Sequence, residues 1–208
     1  MDLKTILEVI QGGSIILASI TAIYGISSWR REAKWKRKYE IAEEVLTTFY
    51  EISDKFERIR SPHSYVGEGK TRKRNEQETK EESEILDKAY IVFERFEKEK
   101  DPFIKLRSIK YRFMVLYGKE SVEPFMEIEK LTSKLLFASK QLGQRYRKEQ
   151  GRKEFTEKQL EKHLAKMEEL ENIFWSDDEM DPFKNEINAT ITKIEEICGD
   201  ILGKNSSI

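Results

Sequence analysis

Val9 to Trp29 reads VIQGGSIILASITAIYGISSW, twenty-one consecutive residues without a formal charge. Isoleucine dominates the run, at positions 10, 15, 16, 20, 23 and 26. With a rise of about 1.5 Å per residue, a helix of this length covers roughly 30 Å, the thickness of a bilayer's hydrocarbon core. The chemistry then inverts. Arg30, Arg31, Lys34, Lys36, Arg37 and Lys38 face only Glu32 as an opposing charge, and Trp29 and Trp35 mark the boundary. Amphipathic rings favour the headgroup level, and basic clusters stay on the cytoplasmic side. The pattern predicts one membrane-spanning helix, its N-terminus outside and the remainder of the chain in the cytoplasm.

The run has two other readings. A cleaved signal peptide carries its basic residues before the apolar stretch, whereas the front end here holds Asp2, Lys4 and Glu8 and the cations follow. A buried helix of a soluble protein draws support from Gln11, Gly12, Gly13, Ser14, Ser19, Thr21, Ser27 and Ser28, which make the run only moderately apolar. Ser14, Ala18 and Ala22 recur every four residues with Gly25 nearby, a spacing that lets two helix backbones approach. These four residues form a candidate face for self-association within the membrane.

Downstream, the apolar residues Trp35, Tyr39, Ala42, Val45, Phe49, Ile52, Phe56 and Ile59 follow steps of three and four, which puts them on one stripe. No Gly or Pro lies between Ile26 and Ser61, so anchor and stripe are expected to form a single helix roughly 75 Å long. Pro62 stops it. The remaining apolar stripes fall in four further stretches. Ile85 to Phe96 is the first, and Phe103 to Leu116, opened by Asp101-Pro102 and closed by Gly118, is the second. Phe125 to Tyr146 follows Glu123-Pro124, with Gly151 as its end. Thr156 is read as the N-cap of a helix with Leu160, Leu164, Met167, Leu170 and Phe174 inward, and Asp181-Pro182 opens a last one through Ile201. Strand-like alternation is essentially absent. The expected fold is all-α: residues 1–29 as membrane anchor, 30–203 as a cytosolic bundle of about five or six helices, and 204–208 as a short tail.

Charged residues make up 37% of the chain, well above the usual quarter, yet acids and bases nearly cancel. A neutral, charge-dense domain suits salt-bridged helix faces and argues against nucleic acid as a partner. Cys198 is the only cysteine, which excludes an intrachain disulfide and fits a reducing compartment.

Motifs that could carry chemistry are weak. Gly67-Glu68-Gly69-Lys70-Thr71 resembles the end of a phosphate-binding loop, but Ser64 stands where its first glycine belongs and a helix precedes it instead of a strand. It reads as a flexible basic loop, with Pro62, Gly67, Gly69, Lys70 and Arg72 as a candidate contact for a protein partner. Only His63 and His163 exist, too few for zinc sites of the His/Cys type, and no nucleophile stands at a recognisable spacing from a base. His163 is placed at the edge of its helix's apolar stripe, and Cys198 on the inward side of the last helix. No catalytic residue, metal or cofactor is assigned. The candidate membrane-interface residues are Trp29, Arg30, Arg31, Lys34, Trp35, Lys36, Arg37 and Lys38, with anionic lipid headgroups as their partners.

Ile59-Arg60-Ser61-Pro62, Gly67 to Arg72 and Tyr111-Arg112-Phe113-Met114 together resemble a group of bacterial proteins, of no assigned activity, that carry one N-terminal membrane helix and a helical cytosolic domain. The resemblance spans about half of the chain. It implies a bacterial inner membrane and transfers no site residues. The expected function is a membrane-tethered, non-enzymatic interaction or sensor module, possible as a homo-oligomer. An oligomerising membrane effector and an enzyme are the alternatives.

Overall fold

A computed structural model describes residues 2–149, 155–177 and 181–203, with residues 4–10 and 147–149 as backbone only. The expected ends at Gly151 and over 204–208 lie outside them. The described chain is all-helical, with α1 at Leu3–Ile59, α2 at Lys80–Glu99, α3 at Asp101–Tyr117, α4 at Glu123–Glu149, α5 at Glu157–Phe174 and α6 at Pro182–Leu202. A short 3-10 turn, Lys119–Val122, joins α3 to α4.

α1 runs unbroken through 57 residues, about 85 Å at the usual helical rise. Its two halves meet different surroundings. Ile15, Ile16, Leu17, Ile20, Ile23 and Ile26 are 47–69% exposed, and no other element covers them. It is the one helix, among the described residues, that is long and apolar enough to cross a membrane. From Ile41 onward the same helix is the seam of the core, with Ala42, Val45, Phe49, Ile52, Phe56 and Ile59 fully buried. The seam begins later than its spacing suggests, because Trp35 stays exposed and stacks along its own helix on Tyr39.

α3 and α6 flank the buried half of α1, both antiparallel to it. Tyr117 near the end of α3 donates to the Lys38 carbonyl at 3.0 Å, while Phe103 at its start meets Phe56 edge-on, centroids 5.2 Å apart. On α6, Lys184 pairs with Glu57 and the Tyr50 hydroxyl donates to Glu195. α4 closes this bundle through Phe125, which packs on Phe49, and then extends past it to carry α2 and α5. Where α2 crosses α4, Gly143 is required: a Cβ there would stand 2.8 Å from the Ala89 Cβ.

Capping chemistry sets most boundaries. Thr79 and Glu82 exchange bonds across the start of α2, each at 3.1 Å. Gly118 ends α3 at a φ of 99°, a conformation that favours glycine. The two Asp-Pro-Phe signals differ. Asp181 caps α6, accepting the Lys184 N–H at 3.0 Å, whereas Asp101 makes no cap bond because Lys100 stays in helical conformation and α3 follows α2 almost directly.

α5 corrects the expected register. Leu160 and Leu164 are exposed, and the inward line is His163, Met167, Leu170 and Phe174. An imidazole occupies the inward place because Phe155 stacks on it, centroids 5.0 Å apart, and Arg145 lies 3.4 Å from its Nδ1.

Phe49→Ala and Phe56→Ala should each lower unfolding free energy by about 3–5 kcal/mol, the usual cost of a lost core phenylalanine. Glu43→Ala and Glu51→Ala, on the exposed face of the same helix, should change it by less than about 0.5 kcal/mol. Denaturant unfolding of the four variants in detergent compares them; equal effects would contradict the seam.

Candidate functional site

The chain places polar chemistry at both ends of the buried half of α1. At the N-terminal end of that half, Trp29, Arg30, Arg31, Lys34, Trp35, Lys36 and Arg37 are all exposed on a bare length of helix. Eight residues from Arg30 to Arg37 make about 12 Å of free helix before the bundle begins. Lys38 differs, being half-buried with its Nζ 5.1 Å from the centre of the Tyr117 ring. It belongs to the rim of the bundle. Ser14, Ala18, Ala22 and Gly25 are on the free half of α1, exposed or nearly so, and no other part of the chain lies within 4 Å of a Cβ added at Gly25. Three hydroxyls of the run are turned back onto the helix. Ser19 donates to the Ile15 carbonyl and Ser27 to that of Tyr24, while Thr21 bonds Leu17. Satisfied this way, they cost little in lipid.

At the far end Arg60, immediately after α1, is 2% exposed. Its Nη1 donates to Asp181 Oδ2 at 2.7 Å and its Nη2 to Oδ1 at 3.0 Å. Further bonds reach the carbonyls of Asn172 at 2.9 Å, Ile173 at 2.8 Å and Trp175 at 2.7 Å. Those carbonyls end α5, where the helix has no N–H donors of its own to offer them, and Asp181 is the N-cap of α6. Phe183 lies beneath the guanidinium, 4.5 Å from its carbon. One side chain therefore joins the ends of three helices. Arg95 of α2 does the reciprocal work on α1, donating to the carbonyls of Ile59 at 3.3 Å, Ser61 at 2.6 Å and His63 at 2.6 Å, and to Glu68.

The connection 62–78 is not the flexible loop its composition suggests. Pro62, Gly67 and Lys70 are exposed, as the partner-contact reading needs, but Gly69 is buried and Arg72 half-buried. The phosphate-loop resemblance has a structural answer. The Gly69 N–H and the Thr71 hydroxyl both donate at 2.8 Å to one oxygen of Glu94, a carboxylate of the chain itself. Gly69 must be glycine, since a Cβ would sit 1.9 Å from the Asp87 carbonyl oxygen. Arg72 forks onto Glu78 at 2.9 and 2.6 Å and also reaches Asp87, which Arg74 engages from the other side.

These contacts set the acidity of the carboxylates. The bonds from Arg72 hold Glu78 down at about 2, against the opposing effect of burial. Arg95 lowers Glu68, and Lys98, with Thr71 and the Gly69 N–H, lowers Glu94. Burial pushes Asp181 up, but the Arg60 bonds and the Lys184 N–H outweigh it and leave the carboxyl below its ordinary value.

No reaction chemistry is assembled from these groups. His63 is exposed, Cys198 is buried in α6, and among the described residues no group of three His, Cys, Asp or Glu side chains could hold a metal ion. A cavity of about 420 Å³ between α2, α4 and α5 is lined by Ile85, Ala89, Leu142, Phe174 and Trp175, with Lys88 and Tyr146 as its polar members. The Tyr146 hydroxyl donates to Glu171. No family model, curated protein or solved structure matches the chain. Its function is therefore argued from its own residues.

Arg60→Met should lower unfolding free energy by about 3–5 kcal/mol, because it strands a buried carboxylate and the carbonyls of α5. Asp181→Asn keeps the cap but removes the charge, so the double variant should unfold less readily than Arg60→Met alone. Strict additivity in urea unfolding would contradict the coupling.

Acid should destabilise the fold in a defined direction. Asp181, Glu68, Glu94 and Glu78 have folded-state pKa values below those of the unfolded chain, so the unfolded chain takes up protons first. The stability they give is full above the ordinary carboxylate range of about 4. It is lost as pH falls through the folded values, of which that of Glu78 is about 2. Circular dichroism between neutral pH and this range should follow the loss; a flat profile would contradict it.

Proposed function

We propose that this chain is a membrane-tethered, non-enzymatic helical module that presents an interaction surface in the cytoplasm. The observation that carries the reading is the division of α1. One uninterrupted helix has an apolar half that none of the described residues covers and a half whose apolar seam is fully buried. Isolated exposure of so many isoleucines in water is unfavourable by about 25 cal/mol for each Å² of apolar surface, which a bilayer removes. Ser19, Thr21 and Ser27 inside the run bond their hydroxyls to their own backbone, as lipid favours.

The cations at 30–38 support the orientation. They give a net charge of +5 against a nearly neutral front end, and each contributes on the order of 1 kcal/mol near an anionic leaflet. The N-terminus is then outside and the bundle inside. Because α1 has no joint between Trp29 and Ile59, a tilt or rotation of the anchor reaches Arg60 without loss. Such a rod suits a sensor or scaffold better than a flexible tether does. The bare line of Ser14, Ala18 and Ala22 favours a second reading, in which anchors pair and the assembled protein perturbs the membrane. Growth arrest on overexpression that Ala18→Leu and Ala22→Leu abolish would support that second reading.

The full chain should float with lipid vesicles and resist extraction by alkaline carbonate. A C-terminal reporter should be active in the cytoplasm and silent in the periplasm; the opposite pattern would refute the orientation. Deletion of residues 1–29 should release a soluble domain with strong helical circular dichroism. If that domain shows mainly β signal or does not fold, the division into anchor and bundle is wrong.

A further inference from the structure

α3 has an outer face that its role in the bundle does not explain. Ile104, Tyr111 and Val115, spaced by seven and four residues, lie on one line of the helix and are 57%, 63% and 79% exposed. Cations flank this line on both sides. Arg107 stands towards α4, and Lys105 and Arg112 stand on the opposite flank, all exposed. Across α3 as a whole, four cations oppose Asp101 alone. Arg112 has only a loose partner, Glu44 at 3.7 Å.

The neighbouring surface continues the pattern. α3 and α4 diverge to leave a cleft of about 450 Å³, floored by Phe103, Leu106, Phe125 and Ile128, with Ile104 and Arg107 on its α3 wall. On the α4 side Ser133 lines the cleft and shares a helix line with Met126 and Phe137, both more than half exposed. The bundle thus carries an apolar trough whose α3 border is basic.

Resting on the reading of the chain as a tethered interaction module, we infer that the α3–α4 face is the docking site for an acidic amphipathic helix of a second protein. An apolar face laid along such a groove buries the exposed line and the cleft together. Glutamates or aspartates on its flanks meet Lys105, Arg107 and Arg112, and charge complementarity of this kind selects the partner. The other occupants fit less well. A second copy joined through this face by two-fold symmetry sets the cations of α3 against themselves. A bilayer cannot reach it, because α3 is antiparallel to α1 and its line follows the membrane normal when α1 spans. Nucleic acid would use the cations but leave Ile104, Val115, Met126 and the cleft without a role.

The test uses the full chain in neutral-lipid vesicles and in detergent, with synthetic labelled helices as probes. One set has an apolar line at i, i+4 and i+7 flanked by glutamates, a second the same line flanked by lysines, and a third the acidic composition in scrambled order. The acidic amphipathic helices should bind by fluorescence anisotropy. Arg107→Glu with Lys105→Glu should weaken them at least about tenfold, as should Ile104→Ser with Tyr111→Ser, and these are exposed positions where the fold tolerates change. The lysine-flanked helices should bind the charge-reversed protein in their place. Four results would overturn the inference: no binding by any acidic helix, binding that ignores the variants, equal binding of scrambled peptide or single-stranded RNA, or self-association that the same variants abolish. Flotation of the protein is scored separately from flotation of the probe. A chain that fails to float defeats the tether alone, and anisotropy in detergent still judges the groove.

Discussion

The Arg60 guanidinium and the Asp181 carboxylate meet where three helices end, and the positions of those helices follow from that meeting. Taking both charges out of water costs several kcal/mol for each ion, and a lone ion pair seldom repays that. Here the guanidinium also satisfies three partly buried carbonyls at the end of α5. Asp181 in turn holds the first turn of α6. The arrangement has few alternatives, because a displaced α5 or α6 would leave several polar groups unpaired at once. It specifies which end of α1 the later helices recognise, and apolar burial then supplies most of the stability.

From that fixed end the mechanics of the chain run back along α1. Arg95 closes the carbonyls that α1 leaves open, and the connection after it is tied to α2 through Glu68, Glu94 and Asp87. The buried seam from Ile41 to Ile59 is gripped by α3, α4 and α6. Between the seam and the apolar run only the exposed stretch at 30–37 intervenes, and it remains helical. A helix gripped this firmly at one end acts as a lever. Beyond the grip this lever carries a net +5 over residues 30–38 and then an exposed apolar run.

Much of this was legible in the sequence, for identifiable reasons. The seam of α1 follows steps of three and four over its whole length, a signal that local turns cannot imitate, and Gly118, Thr156 and Asp181 mark helix ends through their own backbone chemistry. The failures share a cause. Apolar periodicity alone sets His163 at the edge of the stripe and turns Leu160 and Leu164 inward, although 163, 167, 170 and 174 make an equally good line. Arg60 stands four residues after Phe56, on the seam's own spacing, but its partner is 121 positions away and no local pattern names it. The ties from Arg72, Arg74 and Arg95 to carboxylates of α2 and the connection are equally non-local. The phosphate-like glycines were read against a motif, when their real acceptor, Glu94, lay in the next helix. The outer line of α3 was overlooked because Tyr111 and Val115 share a helix with the true core residues Leu106, Ile109 and Phe113.

The continuity of α1 from anchor to Arg60 can be measured directly. Cysteines introduced at Ser28 and Glu57, both exposed, accept spin labels while the native Cys198 stays buried. In the full chain reconstituted into bilayers, one uninterrupted helix predicts a single narrow distance between the label sites of about 44 Å. A broad distribution, or a peak well short of that length, would mean a joint in the collar and would contradict the account of α1 as one rod.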